Sequence, residues 1–258
     1  MLPTLNDYNE GGVITPEIWF AQSGMKDKLN EVKDVNKFII TFPYMKKFSE
    51  KVESQEHRKI EWYPNLRIFE FENEDIGFFV SSIGASSTAM FLEELIYTGG
   101  KYFVLIGGVG VLLEEIKRGE IIIPDGAIRE EGTSYHYYPM KKDVKPSGYL
   151  SKKLKNICKS MGVNFYTGKV WTTDAPYRET PSRIKMYRNA NAICVDMEAS
   201  ACFAVGEYRN VDLAAIFYGG DYVNEKGWNF RKEDMNKSKE CEERLFNIVC
   251  RALKDVKQ

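Results

Sequence analysis

The chain has 258 residues, 43% of them apolar and 13% aromatic, enough for one large α/β domain or two small ones. Its formal net charge of −1 gives no electrostatic ground for a nucleic-acid partner. The longest apolar run, Tyr102 to Leu113, is glycine-interrupted and too short for a bilayer, and the first residues lack a signal pattern, so a cytoplasmic protein without membrane contact is expected.

Residues 1–35 are polar and aromatic without a clear period and are taken as an N-terminal extension; residues 36–258 form the main domain. Lys37–Phe42 reads as a first buried strand. Arg67–Glu72 and Ile76–Ser82 flank Asn73-Glu-Asp75 and predict a hairpin. Small and hydroxylated residues from Gly84 to Thr88, followed by an apolar stripe to Ile96, predict a capped helix. Tyr102–Ile106 has the continuous apolar character of a central strand and leads into a glycine turn, Gly107–Gly110. Glu120–Pro124 is a further strand, and 128–148 a long polar and aromatic connection in which Arg129 and His136 have an ordering role. Helices are predicted over 150–161, 178–188 and 231–257, and strands over 164–172 and 211–218. The alternation argues for a single α/β sandwich. The five cysteines form no CxxC pair and the two histidines lie far apart, so reduced, buried thiols and no metal are expected.

The chemistry concentrates in Cys194-Val-Asp-Met-Glu-Ala-Ser200 and in Gly219-Gly-Asp221. The first places Glu198 at a helix start; the second places Asp221 at a strand end. Those two positions line one crevice in α/β folds. One acid there can accept hydrogen bonds from a sugar diol while the other protonates a leaving group. That division suits N-glycosidic cleavage, whose transition state resembles an oxocarbenium ion. Glu198 alone also fits an ordinary helix-dipole acid, and Met197 alone an ordinary core residue. Gly107-Gly-Val-Gly110 reads as an anion nest or as a tight backbone path, and lacks the dinucleotide-binding spacing.

The order of Ile83–Leu95, the glycine turn, Arg118-Gly-Glu-Ile-Ile-Ile-Pro124, Arg129–His136, Thr172–Tyr177, Val195–Ser200 and Asp221 resembles the nucleoside phosphorylase family, which contains uridine phosphorylase, hexameric-type purine nucleoside phosphorylase and methylthioadenosine nucleosidase. The resemblance covers roughly residues 37–255. It implies an α/β sandwich around a mixed, partly barrel-like sheet and a homo-oligomer built on a dimer. It implies no cofactor, with phosphate as a possible co-substrate. It makes Met197 and Glu198 ribose ligands, Asp221 the acid at purine N7, and Tyr177 and Arg178 shapers of the base pocket. A purine-like nucleoside is therefore expected over uridine.

The phosphate motif departs from that family. Its Pro-Gly-Asp-Pro-x-Arg loop falls on Thr41–Lys46, which puts Phe42 at the glycine and Lys46, or with a shift Lys47, at the arginine. A second arginine falls on Leu105, and the turn's hydroxyl on Gly108. Lys46, Gly107, Gly108 and Ser87, helped by Ser86 and Thr88, are the remaining candidates for the anion. Arg58 and Arg67 are candidates to reach a neighbouring subunit's site. Weak dependence on phosphate is expected, with hydrolysis, or nucleoside binding without turnover, as the alternatives.

Overall fold

The computed structural model describes residues 7–61, 63–254 and 256. The elements in order are α1 (Pro16–Gln22), β1 (Lys37–Thr41), α2 (Lys46–Glu53), β2 (His57–Lys59), β3 (Leu66–Phe71), β4 (Glu74–Val80), α3 (Ala85–Tyr97), β5 (Tyr102–Val111), β6 (Ile121–Ile122) and β7 (Gly126–Glu130). There follow α4 (Gly148–Ser160), β8 (Phe165–Tyr166), β9 (Lys169–Thr173), α5 (Pro181–Asn189), β10 (Ala192–Asp196), α6 (Ala199–Tyr208), β11 (Asp212–Asn224), β12 (Gly227–Asn229) and α7 (Met235–Lys254). The described strands join one mixed sheet, in the order β2-β3-β4-β1-β5-β10-β9-β7, with β11 on the second edge of β5 and carrying β6 and β12. This is the expected α/β sandwich.

Side-chain alternation in the central strands builds the two cores. Phe103 and Leu105 of β5, with Leu213, Ala215 and Phe217 of β11, pack toward α3 and α6. Val104 and Ile106, with Ala214, Ile216 and Tyr218, pack toward α2, α4 and α7. Strands covered on both faces carry continuous apolar runs, as β5 and β11 do.

Several boundaries differ from the sequence reading. Gly107–Gly110 do not turn; they continue β5 as far as Val111. Asp221 likewise lies inside β11, within an irregularity between Gly219 and Tyr222. The β3–β4 hairpin turns at Glu72 and Asn73, both with positive φ, rather than at 73–75. The strand over 164–172 is divided into β8 and β9. The helix expected from Arg178 starts at Pro181, where Thr180 Oγ1 accepts the Arg183 N–H and proline takes the first helical position. The extension, without a readable period, holds α1 behind a Thr15 cap. In the 128–148 connection, Arg129 donates to Ser134 Oγ and to the carbonyls of Tyr138, Pro139 and Lys142, which is the ordering role expected of it.

Candidate active site

The site is made by a break in sheet pairing. On one edge of β5, β1 pairs in parallel and leaves after Leu105. On the same edge β10 pairs antiparallel, but only at Gly110 and Val111. The other edge is closed by β11 from Tyr102 to Val109. Residues 106–109 thus face a gap where the backbone needs other partners. Thr41 Oγ1 donates to the Ile106 carbonyl at 3.3 Å, and the Tyr44 hydroxyl donates to the Gly108 carbonyl at 3.3 Å. The N–H and C=O of one strand residue point to the same side, so the Gly108 N–H faces the gap as well.

The glycines here make room for rings. A Cβ on Gly107 would lie 3.0 Å from the Tyr44 hydroxyl and 3.4 Å from the Phe42 ring. A Cβ on Gly108 would lie 2.7 Å from Tyr218 Cζ. Tyr218 is buried, with Arg118, Ser238 and Glu242 close by. Arg118 in turn donates to Ser238 Oγ and to the Phe230 carbonyl.

Glu198 stands between β10 and α6, at the N-cap position. The capping bond itself comes from Asp196, whose Oδ2 accepts the Ala199 N–H at 2.7 Å. Glu198 is thereby left to turn elsewhere, and its Oε1 accepts the Gly84 N–H at 2.7 Å, at the head of α3. The helix cap expected there from hydroxyl side chains is absent; Gly84 is the N-cap residue. Glu198 is 5% exposed, and burial, followed by the nearby Asp196, pushes its carboxyl up to about 8. Burial also raises Asp196, against hydrogen bonds from Thr172 and Ala199. A third buried acid, Glu131, accepts from Ser200 Oγ at 2.7 Å and from the Ser134 N–H at 2.8 Å.

Asp221 approaches from β11. A Cβ on Gly110 would lie 2.9 Å from Val195 Cγ1 and 3.4 Å from Asp221 Oδ2, so this glycine lets β10 and Asp221 close over β5. Asp221 Oδ2 accepts from Trp228 Nε1 at 2.6 Å. Asp221 is only half-buried. The carboxyl that burial does push up, to about 7, is that of Glu179, with Asp221 and then Glu130 adding to the rise. Glu130 is held by Trp171 Nε1 at 2.6 Å and Arg183 at 2.9 Å.

The other candidates divide. Met197 is half-buried beside Glu198. Tyr177 is 100% exposed and Arg178 is exposed, because the short 3-10 turn Pro176–Arg178 directs them outward and turns Glu179 inward. Lys46 is exposed, and the start of its helix is already served: Glu242, from α7, accepts the Lys47 N–H at 2.8 Å and the Phe48 N–H at 3.3 Å. Ser87 is half-buried and Ser86 exposed in the first turn of α3, while the buried Thr88 hydroxyl is paired with Ser81 at 3.0 Å. Arg58 donates to the Glu31 carbonyl and Arg67 binds Glu53 at 3.1 Å, both within their own subunit. The sequence reading passed over Tyr44, Glu179 and Trp228. Only Trp228 had a local signal, the hairpin turn Asn224-Glu-Lys-Gly227 behind Asp221.

A mixed sheet split at its central strand, with acids from β10, β11 and the segment before α5 gathered at the split, defines an α/β enzyme with a small-molecule site. The sequence signature of the phosphorylase superfamily matches residues 43–254, and the chain belongs to that family. It is 27% identical over 186 residues to the guanosine phosphorylase of Halorubrum lacusprofundi, covering 71% of this chain and 77% of that one. It is 30% identical over 147 residues to the uridine phosphorylase of Treponema pallidum, covering 53% and 57%. In fold it resembles the uridine phosphorylase of Vibrio fischeri, with a TM-score of 0.75, 23% identity and coverage of 85% and 92%. It also resembles the purine nucleoside phosphorylase of Toxoplasma gondii, with a TM-score of 0.74, 20% identity and coverage of 86% and 91%.

Proposed function

We propose that this enzyme cleaves the N-glycosidic bond of a purine-like nucleoside by phosphorolysis. The observation that carries the reading is Glu198: a buried carboxyl, anchored by Gly84 at one oxygen, in the motif that places a ribose ligand in this family. Glu198 accepts hydrogen bonds from the 2′ and 3′ hydroxyls, and these strengthen as positive charge grows on the sugar. Met197 packs against the ribose. Asp221 donates a proton to N7 as the C1′–N9 bond breaks and its electron pair moves into the base. A phosphate oxygen supplies the pair for the new C1′–O bond. The sugar product is ribose 1-phosphate and no cofactor takes part.

Purine preference rests on Asp221, since a pyrimidine offers no equivalent nitrogen. Relatives named for guanosine, purine nucleosides and uridine all match the chain, so the base must be decided by assay. Base release from a nucleoside panel, with and without phosphate, tests the reading. Purine release with ribose 1-phosphate supports it; selective uridine cleavage, or free ribose at saturating phosphate, overturns the corresponding part.

We further infer a homo-oligomer built on a dimer. Val13 is 90% and Ile14 82% exposed, in the segment leading into α1, and Trp19 and Met90 are exposed on α1 and α3. Such a band suits contact with a second copy. Light scattering on the full chain tests this, and a fully active monomer would contradict it. Five buried free cysteines suit a reducing compartment and hence the cytoplasm; fractionation of cells carrying the tagged chain checks that assignment.

A further inference from the structure

The gap beside β5 is bordered by Gly107 and Gly108, two of the candidates for the anion, and a side chain already stands there. Tyr44 reaches across from the loop between β1 and α2. Its hydroxyl lies 3.3 Å from the Gly108 carbonyl and would be 3.0 Å from a Cβ on Gly107. The hydroxyl end sits among the site's own groups: its ionisation is disfavoured by burial first, and then by Glu198. A side chain at 107 would press on the phenol in this position, and one of the two would have to give by a few tenths of an ångström. The charged groups that serve an anion elsewhere are not in the gap, because Lys46 is exposed and the head of α2 is capped by Glu242.

The same ring is not locked. Tyr44 is 41% exposed, although Phe42, on which it stacks at 5.9 Å and 16°, is 2% exposed. Its hydrogen bond is one long contact to a carbonyl. A ring that is open on one side and held by one such bond can turn outward at small cost. By contrast Tyr218, on the other side of Gly108, is 6% exposed and fixed in the α2–α4–α7 core.

We propose that Tyr44 is a specificity-determining residue for the nucleophile: its hydroxyl occupies the place of a phosphate oxygen beside Gly107 and Gly108, so inorganic phosphate must turn the phenol out before it can reach the sugar. The inference rests on the phosphorolytic reading above. Phosphate and the phenol compete for one position, so phosphate binds weakly in the native chain and removal of the ring strengthens it. Nucleoside binding, which uses Glu198, Met197 and Asp221, does not change in parallel.

The test is titration of the full chain and of Tyr44→Ala and Tyr44→Phe with inorganic phosphate. Binding is followed by phosphorus NMR, independently of turnover. Base release is then measured as a function of phosphate at fixed nucleoside. Tyr44→Ala is expected to tighten phosphate about tenfold in both Kd and KM, with the nucleoside KM held within about twofold; that factor is the size of a single modest hydrogen-bonding change. Tyr44→Phe keeps the ring and loses the oxygen, and tightens phosphate by a smaller factor. If phosphate affinity is unchanged or weaker in both variants, the proposal is overturned. Tyr44→Phe preserves the packing on Phe42, so it decides the matter if the alanine variant fails to fold. Failure of the native chain to release base from any nucleoside would remove the phosphorolytic reading instead, and the NMR titration would still report on Tyr44.

Discussion

The indole of Trp228 donates to the Asp221 carboxylate at 2.6 Å, tying the β11–β12 hairpin to the proposed proton donor. Trp228 is 65% exposed and packs, tilted by 45°, against Phe230, which lies under the Arg118 guanidinium at 5.0 Å. The indole therefore acts on Asp221 as a tether from the rim of the site. Trp228→Phe keeps the ring packing and removes the donor. We expect kcat to fall about three- to tenfold with little change in KM, since an aligned hydrogen bond at a partly exposed site contributes roughly 0.5–1.5 kcal/mol. Steady-state kinetics on the preferred nucleoside check this, and an unchanged kcat would make the tether irrelevant to turnover.

Asp221→Asn keeps the shape and the Trp228 contact but carries no transferable proton. Cleavage of purine nucleosides is expected to fall by roughly 10²–10⁴-fold, the usual scale of general-acid catalysis. A substrate with an activated leaving group, which needs no proton, should lose much less. Comparing the two substrates separates proton donation from simple damage to the pocket.

Glu198→Gln should trade activity for stability. The folded chain raises this carboxyl from the ordinary 4.5 to about 8. A group raised on folding favours the native state below its unfolded value, and that contribution is lost as pH rises through the folded value. Glutamine mimics the neutral form at every pH. The variant should thus melt close to the native chain at pH 4 and above it at pH 8 to 9. A gain of about 1–2 kcal/mol corresponds to roughly 2–8 °C for a chain of this size. The native kcat/KM should climb with pH toward 8 as the carboxylate forms, and the climb should vanish in the variant. A melting difference that is constant across pH would contradict the burial argument.

Gly108→Ser, which supplies the hydroxyl of the family pattern, is expected to harm this chain. Its Cβ would meet Tyr218 Cζ at 2.7 Å, and that ring is packed against the cluster formed with Glu242 and Arg118. Overpacking of this kind costs about 1–3 kcal/mol. Tyr218→Ala should relieve it, so the double variant should be more stable than the sum of the two losses by about 1 kcal/mol or more. Denaturant melts of the four chains measure the coupling, and strict additivity would rule it out.

The sheet and the acid motif were largely legible in the sequence because each rests on local pattern. The apolar runs of β5 and β11 and the run from Val195 to Ser200 carry their own periodicity and spacing. The turn at Gly107–Gly110 was misread because a glycine run after an apolar strand marks a tight path equally well in a turn or beneath aromatic rings, and the three rings come from residues 42, 44 and 218. Tyr177 and Glu179 are two residues apart and point opposite ways, a choice made by a 3-10 turn that no spacing rule resolves. Tyr44 escaped notice because its partner, Gly108, is 64 residues away. The hairpin and the helix ends shifted by one to four residues, as turn and cap geometry decided.

The split on β5 also divides the labour of the site by chain region. In the proposed reaction Tyr44, Gly107 and Gly108 bear on the attacking group, whereas Asp221 and Glu179 bear on the departing base and come from β11 and the segment before α5. β5 and β11 both run past the two halves, since Tyr218 of β11 lies opposite Gly108 and the same strand goes on to Asp221, but residues 41–46 belong to neither strand. Residues 41–46 can therefore diverge under selection for a different acceptor while the base-recognition half is left untouched, so that one scaffold diversifies its nucleophile and its leaving group as separate traits.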